Sequence, residues 1–236
     1  MTDPEADVPY GEDFHDPAVA SAWADGVMRK RPWRAAIFQH FVAIVNAAPV
    51  VPPVRVLELG SGPGFLAEQL LDHCPKIEHY ALLDFSGPML DQSRRRLARF
   101  QDRTEFLCAD FKTETWPSIV SAQVDFVVSL QAVHELRHKR HAQRLYAQLA
   151  PLLRPGAEVL ICDHLPDGAH TPRHRVLYME PEEKLQALVG AGLVDAKIVW
   201  RDHNMALYRA RANAHVEPSH DEAAQQAVEA GGRTSS

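Results

Sequence analysis

The chain has 236 residues, with 25 Lys and Arg against 31 Asp and Glu, and a formal net charge of −6. At 46% hydrophobic and 24% charged residues it has the balance of a globular protein able to bury a sizeable core in one or two domains. The mild acidity offers no general attraction to nucleic acid or to an anionic membrane, and no apolar run reaches membrane-spanning length. The acidic stretch Met1 to Asp13 lacks the basic-then-apolar order of a signal peptide. Cys74, Cys108 and Cys162 are odd in number and scattered, so reduced thiols in a cytoplasmic protein are expected.

In chain order, Asp16 to Asn46 reads as one or two helices, with Asp16 as N-cap, Pro17 at the first helical position and Pro32 as a divider. Ile37, Phe41, Ile44 and Val45 recur at helical spacing, and the three prolines of Ala47 to Pro53 end the region. A βα rhythm follows. Val54–Leu59 is a short apolar strand that runs into Gly60-Ser61-Gly62-Pro63-Gly64, and a helix carries Phe65, Leu66, Leu70 and Leu71. A second strand, His79–Asp84, precedes a helix from Gly87-Pro88 with Met89, Ser93, Leu97 and Phe100 on one face. Its Arg94, Arg95 and Arg96 read as a solvated face. Thr104–Ala109 and Val124–Leu130 are further strands. A helix over Lys139 to Ala150 and a turn over Pro151 to Gly156 lead into a fifth strand, Ala157–Cys162.

Asp163 to Pro181 is a long connection rich in His, Pro and Gly. Pro181-Glu182-Glu183 opens a helix that stops at Gly190 and Gly192. Val194–Trp200 and Met205–Ala210 form a closing hairpin turned by Asp202 to Asn204. Beyond Arg211 only Val216 and Val228 are large and aliphatic, which predicts a disordered tail. The expected division is a helical cap over residues 1–50, a core over 51–211 and the tail over 212–236. Alternating strands and helices imply an α/β fold, a mostly parallel sheet with helices on both faces. In such sheets ligands bind at the carboxyl ends of the strands, where the strand order reverses.

The first strand delivers Glu58-Leu59-Gly60-Ser61-Gly62-Pro63-Gly64 to that edge. Glycines there permit positive φ and close approach of backbone to a ligand. Asp84 ends the second strand about 24 residues after Gly60, near the ~20 expected of a carboxylate that accepts ribose hydroxyls. The glycines alternate rather than follow dinucleotide spacing, and Pro63 removes an amide from any phosphate cradle. A ligand without phosphate suits the loop better.

Val56-Leu57-Glu58-Leu59-Gly60-Ser61-Gly62-Pro63-Gly64 resembles motif I of the class I S-adenosylmethionine-dependent methyltransferases. Leu82-Leu83-Asp84-Phe85-Ser86 with Met89-Leu90, Leu107-Cys108-Ala109-Asp110-Phe111, Asp125–Ser129 and Leu152–Ala157 resemble the later segments of that family, in its order. The resemblance implies a Rossmann-like methyltransferase fold, with a mostly parallel seven-stranded sheet and a C-terminal antiparallel hairpin. It also implies S-adenosylmethionine as cofactor and a small-molecule acceptor as partner. Glu58, Gly60, Ser61 and Gly62 would shape the methionine site, Asp84 would bind ribose, and Phe85 and Met89 would pack near adenosine. Asp110 and Phe111 would address adenine, and Leu130 and Gln131 would close the pocket near the sulfonium.

The implied reaction is methyl transfer to an O, N or C nucleophile held in line with the carbon–sulfur bond, driven largely by positioning in a dry site. A base is needed only if the nucleophile arrives protonated. His134 and His164 follow the fourth and fifth strands and are the candidate catalytic residues, as neutral imidazoles near neutral pH. Ser129-Leu130-Gln131 supplies no acid where a metal-dependent branch would place one, so no metal is expected. Arg31 or Arg34 could pair with the methionine carboxylate. Trp23, Trp33 and Arg34, and the connection with His170, Arg173, His174, Arg175 and Tyr178, are candidate covers of the acceptor. The alternatives are a non-catalytic binding module and a nicotinamide-dependent oxidoreductase, the latter disfavoured by the glycine spacing and the length.

Overall fold

The computed structural model describes residues 6–166 and 172–214, the second stretch with side chains from 175 onward. Two helices come first, α1 (Pro17–Lys30) and α2 (Arg34–Ala47). Asp16 caps α1 through its side chain, which accepts from Ala18 N at 2.7 Å. The βα series follows as β1 (Val54–Leu59), α3 (Phe65–His73), β2 (Ile77–Asp84), α4 (Gly87–Arg96), β3 (Thr104–Cys108) and β4 (Val124–Leu130). Then come α5 (Ala142–Ala147), β5 (Leu153–His164), α6 (Pro172–Leu177), α7 (Pro181–Gly190), β6 (Val194–Asp202) and β7 (Met205–Arg211).

The strands form one seven-stranded sheet in the order β3-β2-β1-β4-β5-β7-β6. Pairs from β3 to β5 are parallel, and β7 is antiparallel to both β5 and β6. The order reverses between β1 and β4, so the crevice at their carboxyl ends is the ligand position for this topology.

Both faces of the sheet are covered, which explains why β4 is buried along its whole length. On one face Val56, Tyr80, Phe126 and Val128 pack with Ile37 and Phe41 of α2 and Leu66 and Leu70 of α3. On the other Leu57, Leu83, Val127 and Ile161 pack with Leu145 and Tyr146 of α5 and Leu188 of α7.

Local structure departs from the sequence reading at defined points. The strand β5 begins at Leu153, which pairs with Val124 before Gly156, at φ +77°, shifts the register. The helix expected over Lys139 to Ala150 is only α5, flanked by 3-10 turns at Lys139–His141 and Ala150–Leu152. Pro151 removes the amide that would continue it. The long connection holds α6 rather than running without regular structure. Of the arginines read as solvated, Arg96 instead folds back, donating to Pro63 O at 2.8 Å and to Glu68 Oε2 at 3.2 Å. The tail from 215 onward, His170, and the side chains of Arg173 and His174 lie outside the described residues.

Candidate active site

The loop after β1 is anchored on the end of β2: Gly60 N and Ser61 N donate to Leu83 O at 2.8 and 3.1 Å. Gly60, Gly62 and Gly64 have φ of +65°, +52° and +78°. A Cβ on Gly60 would stand 2.3 Å from Ala132 Cβ, so this position admits no side chain. A Cβ on Gly62 would meet nothing within 4 Å, because the loop borders open space there.

That space is a cavity of about 940 Å³ at the carboxyl ends of β1, β2, β4 and β5. Glu58, Gly60, Ser61, Gly62, Asp84, Phe85, Met89, Phe111, Leu130, Gln131, His134 and His164 all line it. Asp110 does not. It faces an adjoining space of about 460 Å³ shared with Phe85, and its carboxylate accepts from Lys112 N at 2.8 Å.

Asp84 is buried and already half engaged, with Oδ2 accepting from Gly62 N at 2.7 Å and Oδ1 from Ser86 N at 2.9 Å. A carboxylate has about four lone-pair sites, so acceptor capacity remains for hydroxyls. Burial lifts its pKa to about 6 against the pull of those two amides. Glu58 receives the Tyr80 hydroxyl at 2.7 Å, and burial, with Asp84 nearby, pushes it up to about 8. It therefore carries a proton at neutral pH and shapes the floor of the cavity as a neutral acid.

Arg31 and Arg34 both line the cavity, and Arg34 is the buried one, 5% exposed. Its guanidinium lies 5.9 and 5.8 Å from the rings of Trp23 and Phe38, and Nη1 donates to Gln131 Oε1. Burial lowers its pKa to about 10, which leaves it cationic at neutral pH. Its Nε and the Ser61 hydroxyl are buried polar atoms without a protein partner. Both belong to residues of the cavity wall, as expected of a site built for a polar ligand.

At the β4–β5 end, Asp163 organises a charged cluster. Its oxygens accept from His134 N at 2.9 Å and His164 N at 2.8 Å, and Oδ1 lies 2.8 Å from His134 Nδ1. Lys184 Nζ is 3.9 Å from Oδ2. Burial opposes ionisation of Asp163, but His134 and Lys184 outweigh it and hold the carboxyl far below the usual range. Burial likewise opposes the charge on His134, yet Asp163 and Glu135 push it up to about 9. His164 goes the other way, to about 4, through burial reinforced by His134, Arg31 and Lys184. The two imidazoles thus differ: His164 is neutral at pH 7, whereas His134 is protonated in the free chain, contrary to the sequence expectation. Their rings are 5.2 Å apart, with Tyr178 at 5.8 Å from His134 and 5.2 Å from His164. Metal-ligand-type atoms of His134, Asp163 and His164 come within 4.8 Å of one another. Both Asp163 oxygens already accept N–H bonds beside an ammonium, a donor set made for a hydrogen-bonded pair.

Three contributors stand outside the sequence-predicted site residues. Asp163 is the penultimate residue of β5, at the strand edge where ligands bind, but its pairing with His134 of the turn after β4 is a tertiary contact. Lys184 follows the acidic first turn of its helix and carries no motif that would single it out. Tyr10 to Phe14 have no periodicity, yet they line both cavities. They are held by Arg137, whose Nε donates to Val8 O at 2.9 Å, and by the Ser86 hydroxyl, which donates to Phe14 O at 2.5 Å.

Residues 56–156 match the family model described as a methyltransferase domain. Among solved structures, an O-methyltransferase family protein from Burkholderia thailandensis is 19% identical with a TM-score of 0.66, covering 86% of this chain and 62% of its own. Human N-acetylserotonin methyltransferase in complex with SAM is 16% identical, TM-score 0.65, with 87% and 60% covered. The DhpI–SAH complex is 17% identical, TM-score 0.64, with 85% and 97% covered. The chain thus spans about three fifths of the first two proteins and nearly all of the third. No curated protein matches it in sequence. The fold is that of the class I S-adenosylmethionine-dependent methyltransferases. The matched residues, 56–156, include the loop after β1 and the ends of β2 and β4 that border the cavity.

Proposed function

We propose that the protein transfers the methyl group of S-adenosylmethionine to a nucleophile, O, N or C, of a small-molecule acceptor by in-line displacement. The observation that carries this is one cavity with two unlike ends. One end has the glycine loop with Asp84 and Phe111, and the other has an imidazole held by a buried carboxylate. The cofactor, when bound, supplies a methyl group on a cationic sulfur that is already activated for displacement.

The residues present fit it. Gly62 leaves room at the loop, and the unpartnered Ser61 hydroxyl and Arg34 Nε belong to the wall. Asp84 keeps capacity for ribose hydroxyls. Phe85, Met89 and Phe111 offer apolar surface to adenosine, with Asp110 reached from the adjoining space. Arg34, cationic and without a carboxylate partner among the described residues, suits the methionine carboxylate, with Gln131 and Leu130 beside it. Glu58, being neutral, adds no charge to that end.

His134 is the proton acceptor for an acceptor group that arrives protonated, an O–H above all. Asp163 fixes its ring through Nδ1, so the proton is taken at Nε2, which in the free chain lies 3.3 Å from Glu135 Oε1. A cation entering the cavity lowers the affinity of His134 for its own proton, so the base form gains population in the loaded site. His164, neutral beside it, can hydrogen-bond an acceptor without competing for charge. In the proposed division of a cap over 1–50 and a core over 51–211, the described part of the cap, with Tyr10 to Phe14 in the cavity wall, limits water.

Titration calorimetry with S-adenosylhomocysteine on the wild type and Asp84→Ala tests the cofactor assignment. Binding to the wild type with loss of about 10- to 100-fold in the variant is expected, the worth of hydrogen bonds to a charged group. No binding to the wild type, or equal binding in both, contradicts it. Transfer of a labelled methyl group to panels of phenols, amines and enols then identifies the acceptor atom.

A further inference from the structure

Lys184 on α7 is 2% exposed, and an ammonium is costly to bury unless a counter-charge meets it. Its Nζ lies 3.9 Å from Asp163 Oδ2 and 5.1 Å from the centre of the Tyr208 ring. The same carboxylate holds His134 Nδ1 at 2.8 Å on its other oxygen. Asp163 is therefore shared between an imidazole in the cavity wall and an ammonium behind that wall. Lys184 does not line the cavity.

We propose that Lys184 is a positioning residue for the methyl transfer: from behind the active-site wall it fixes Asp163 and offsets part of its charge, and so sets the orientation and basicity of His134. This rests on the reading of His134 as proton acceptor and extends the site to a residue outside the cavity. A buried carboxylate facing an imidazole alone would hold the imidazolium proton strongly and leave a poor base. A cation on the other oxygen weakens that hold while keeping the carboxylate ionised and its rotamer fixed. The backbone amides of His134 and His164, donating to Oδ2 and Oδ1, complete the clamp.

The surrounding groups leave the assignment to Lys184. Asp163 and His164 face His134 from β5, Glu135 from its own turn, at 3.3 Å from Nε2, and Tyr178 from the segment after α6. Around Lys184 stand Asp163 and Cys162 of β5 and Tyr208 of β7, and Tyr146 of α5 faces Asp163 and Tyr208. Burial pushes Cys162, Tyr208 and Tyr146 upward, so they stay neutral through the range in which His134 titrates. Glu135 stays ionised, held low by His134 and Arg137 against the effect of its burial.

The test is NMR titration of the His134 imidazole in the full chain, in wild type, Lys184→Met and Lys184→Arg. His134 is assigned by the resonance lost in His134→Asn. Removal of the positive charge is expected to raise the His134 midpoint by about one pH unit, the scale of a charge acting across a shared carboxylate at an effective dielectric of ~20. Lys184→Arg should keep the midpoint near that of the wild type. With an acceptor in hand, the rising limb of the pH–rate profile should move in the same sense in Lys184→Met. An unmoved midpoint in folded Lys184→Met overturns the proposal, as does an equal shift in Met and Arg variants. Should the Met variant fail to fold, titration of the Lys184 ε-carbon in the wild type decides. An ammonium at pH 7 supports the proposal, and a neutral amine ends it. Absence of methyl transfer by the wild type at every pH would sink the catalytic reading alone, since the NMR midpoints report the coupling without turnover.

Discussion

Replacement of His134 by Asn removes a titrating group while keeping a donor where Nδ1 meets Asp163 Oδ1. The structure raises the His134 pKa from an ordinary 6.5 to about 9, through Asp163 and Glu135 acting against burial. A shift of about 2.5 units corresponds to about 3 kcal/mol of stability at 1.36 kcal/mol per unit. The sign follows from linkage. A histidine whose folded pKa exceeds its unfolded value stabilises fully below the unfolded value, and that contribution is lost as pH rises through the folded one. The lowered pKa of Asp163 reflects the same attraction from the other partner and is counted once. Urea denaturation from pH 6 to 9.5 should therefore give a wild-type-minus-variant difference that is level up to about 6.5 and falls by about 3 kcal/mol by pH 9. A difference that stays level across this window, or rises, would refute the assignment of a charged His134–Asp163 pair.

Gly60→Ala should destabilise by about 2–5 kcal/mol, about 1–2 from left-handed φ and the rest from overpacking against Ala132 Cβ at 2.3 Å. Adding Ala132→Gly should return the steric part, read as a coupling energy in a chemical-denaturation cycle. Arg34→Met should weaken S-adenosylhomocysteine about tenfold or more by calorimetry, the worth of a charge-assisted hydrogen bond. It should leave 5′-methylthioadenosine, which lacks the amino-acid end, unaffected; equal losses for both would remove Arg34 from the carboxylate. With an O–H acceptor, turnover should climb with pH between about 6 and 9 as His134 loses its proton, and His134→Asn should abolish that limb. A flat profile would show that no such proton is taken.

The sheet was legible because its signals are local. Val54–Leu59, Val124–Leu130 and the segments between them are apolar runs broken by Gly and Pro, and alternation with helices leaves few topologies. The loop at Gly60 to Gly64 was legible for the same reason, since positive φ at a strand end selects glycine in the sequence itself. Irregular structure was less visible: α5 shrank to six residues, and β5 grew across Pro155-Gly156, where pairing with β4 overrides a turn-like composition. Charge states were not legible. His134 and His164 look equivalent in sequence, and tertiary packing separates them: burial drives His164 to the neutral form, whereas Asp163 and Glu135 hold the proton on His134 against its burial. Lys184 and Tyr10 to Phe14 stayed hidden because tertiary packing, not periodicity, brings them to the site.

The position of the cofactor decides the function of the cavity, and a crystal structure of the chain with S-adenosylhomocysteine measures it directly. The expected density has ribose hydroxyls on Asp84, the amino-acid carboxylate toward Arg34 and the sulfur facing the His134 end of the cavity. Density at another surface, or side chains of the protein filling the space beside Gly62, would contradict it.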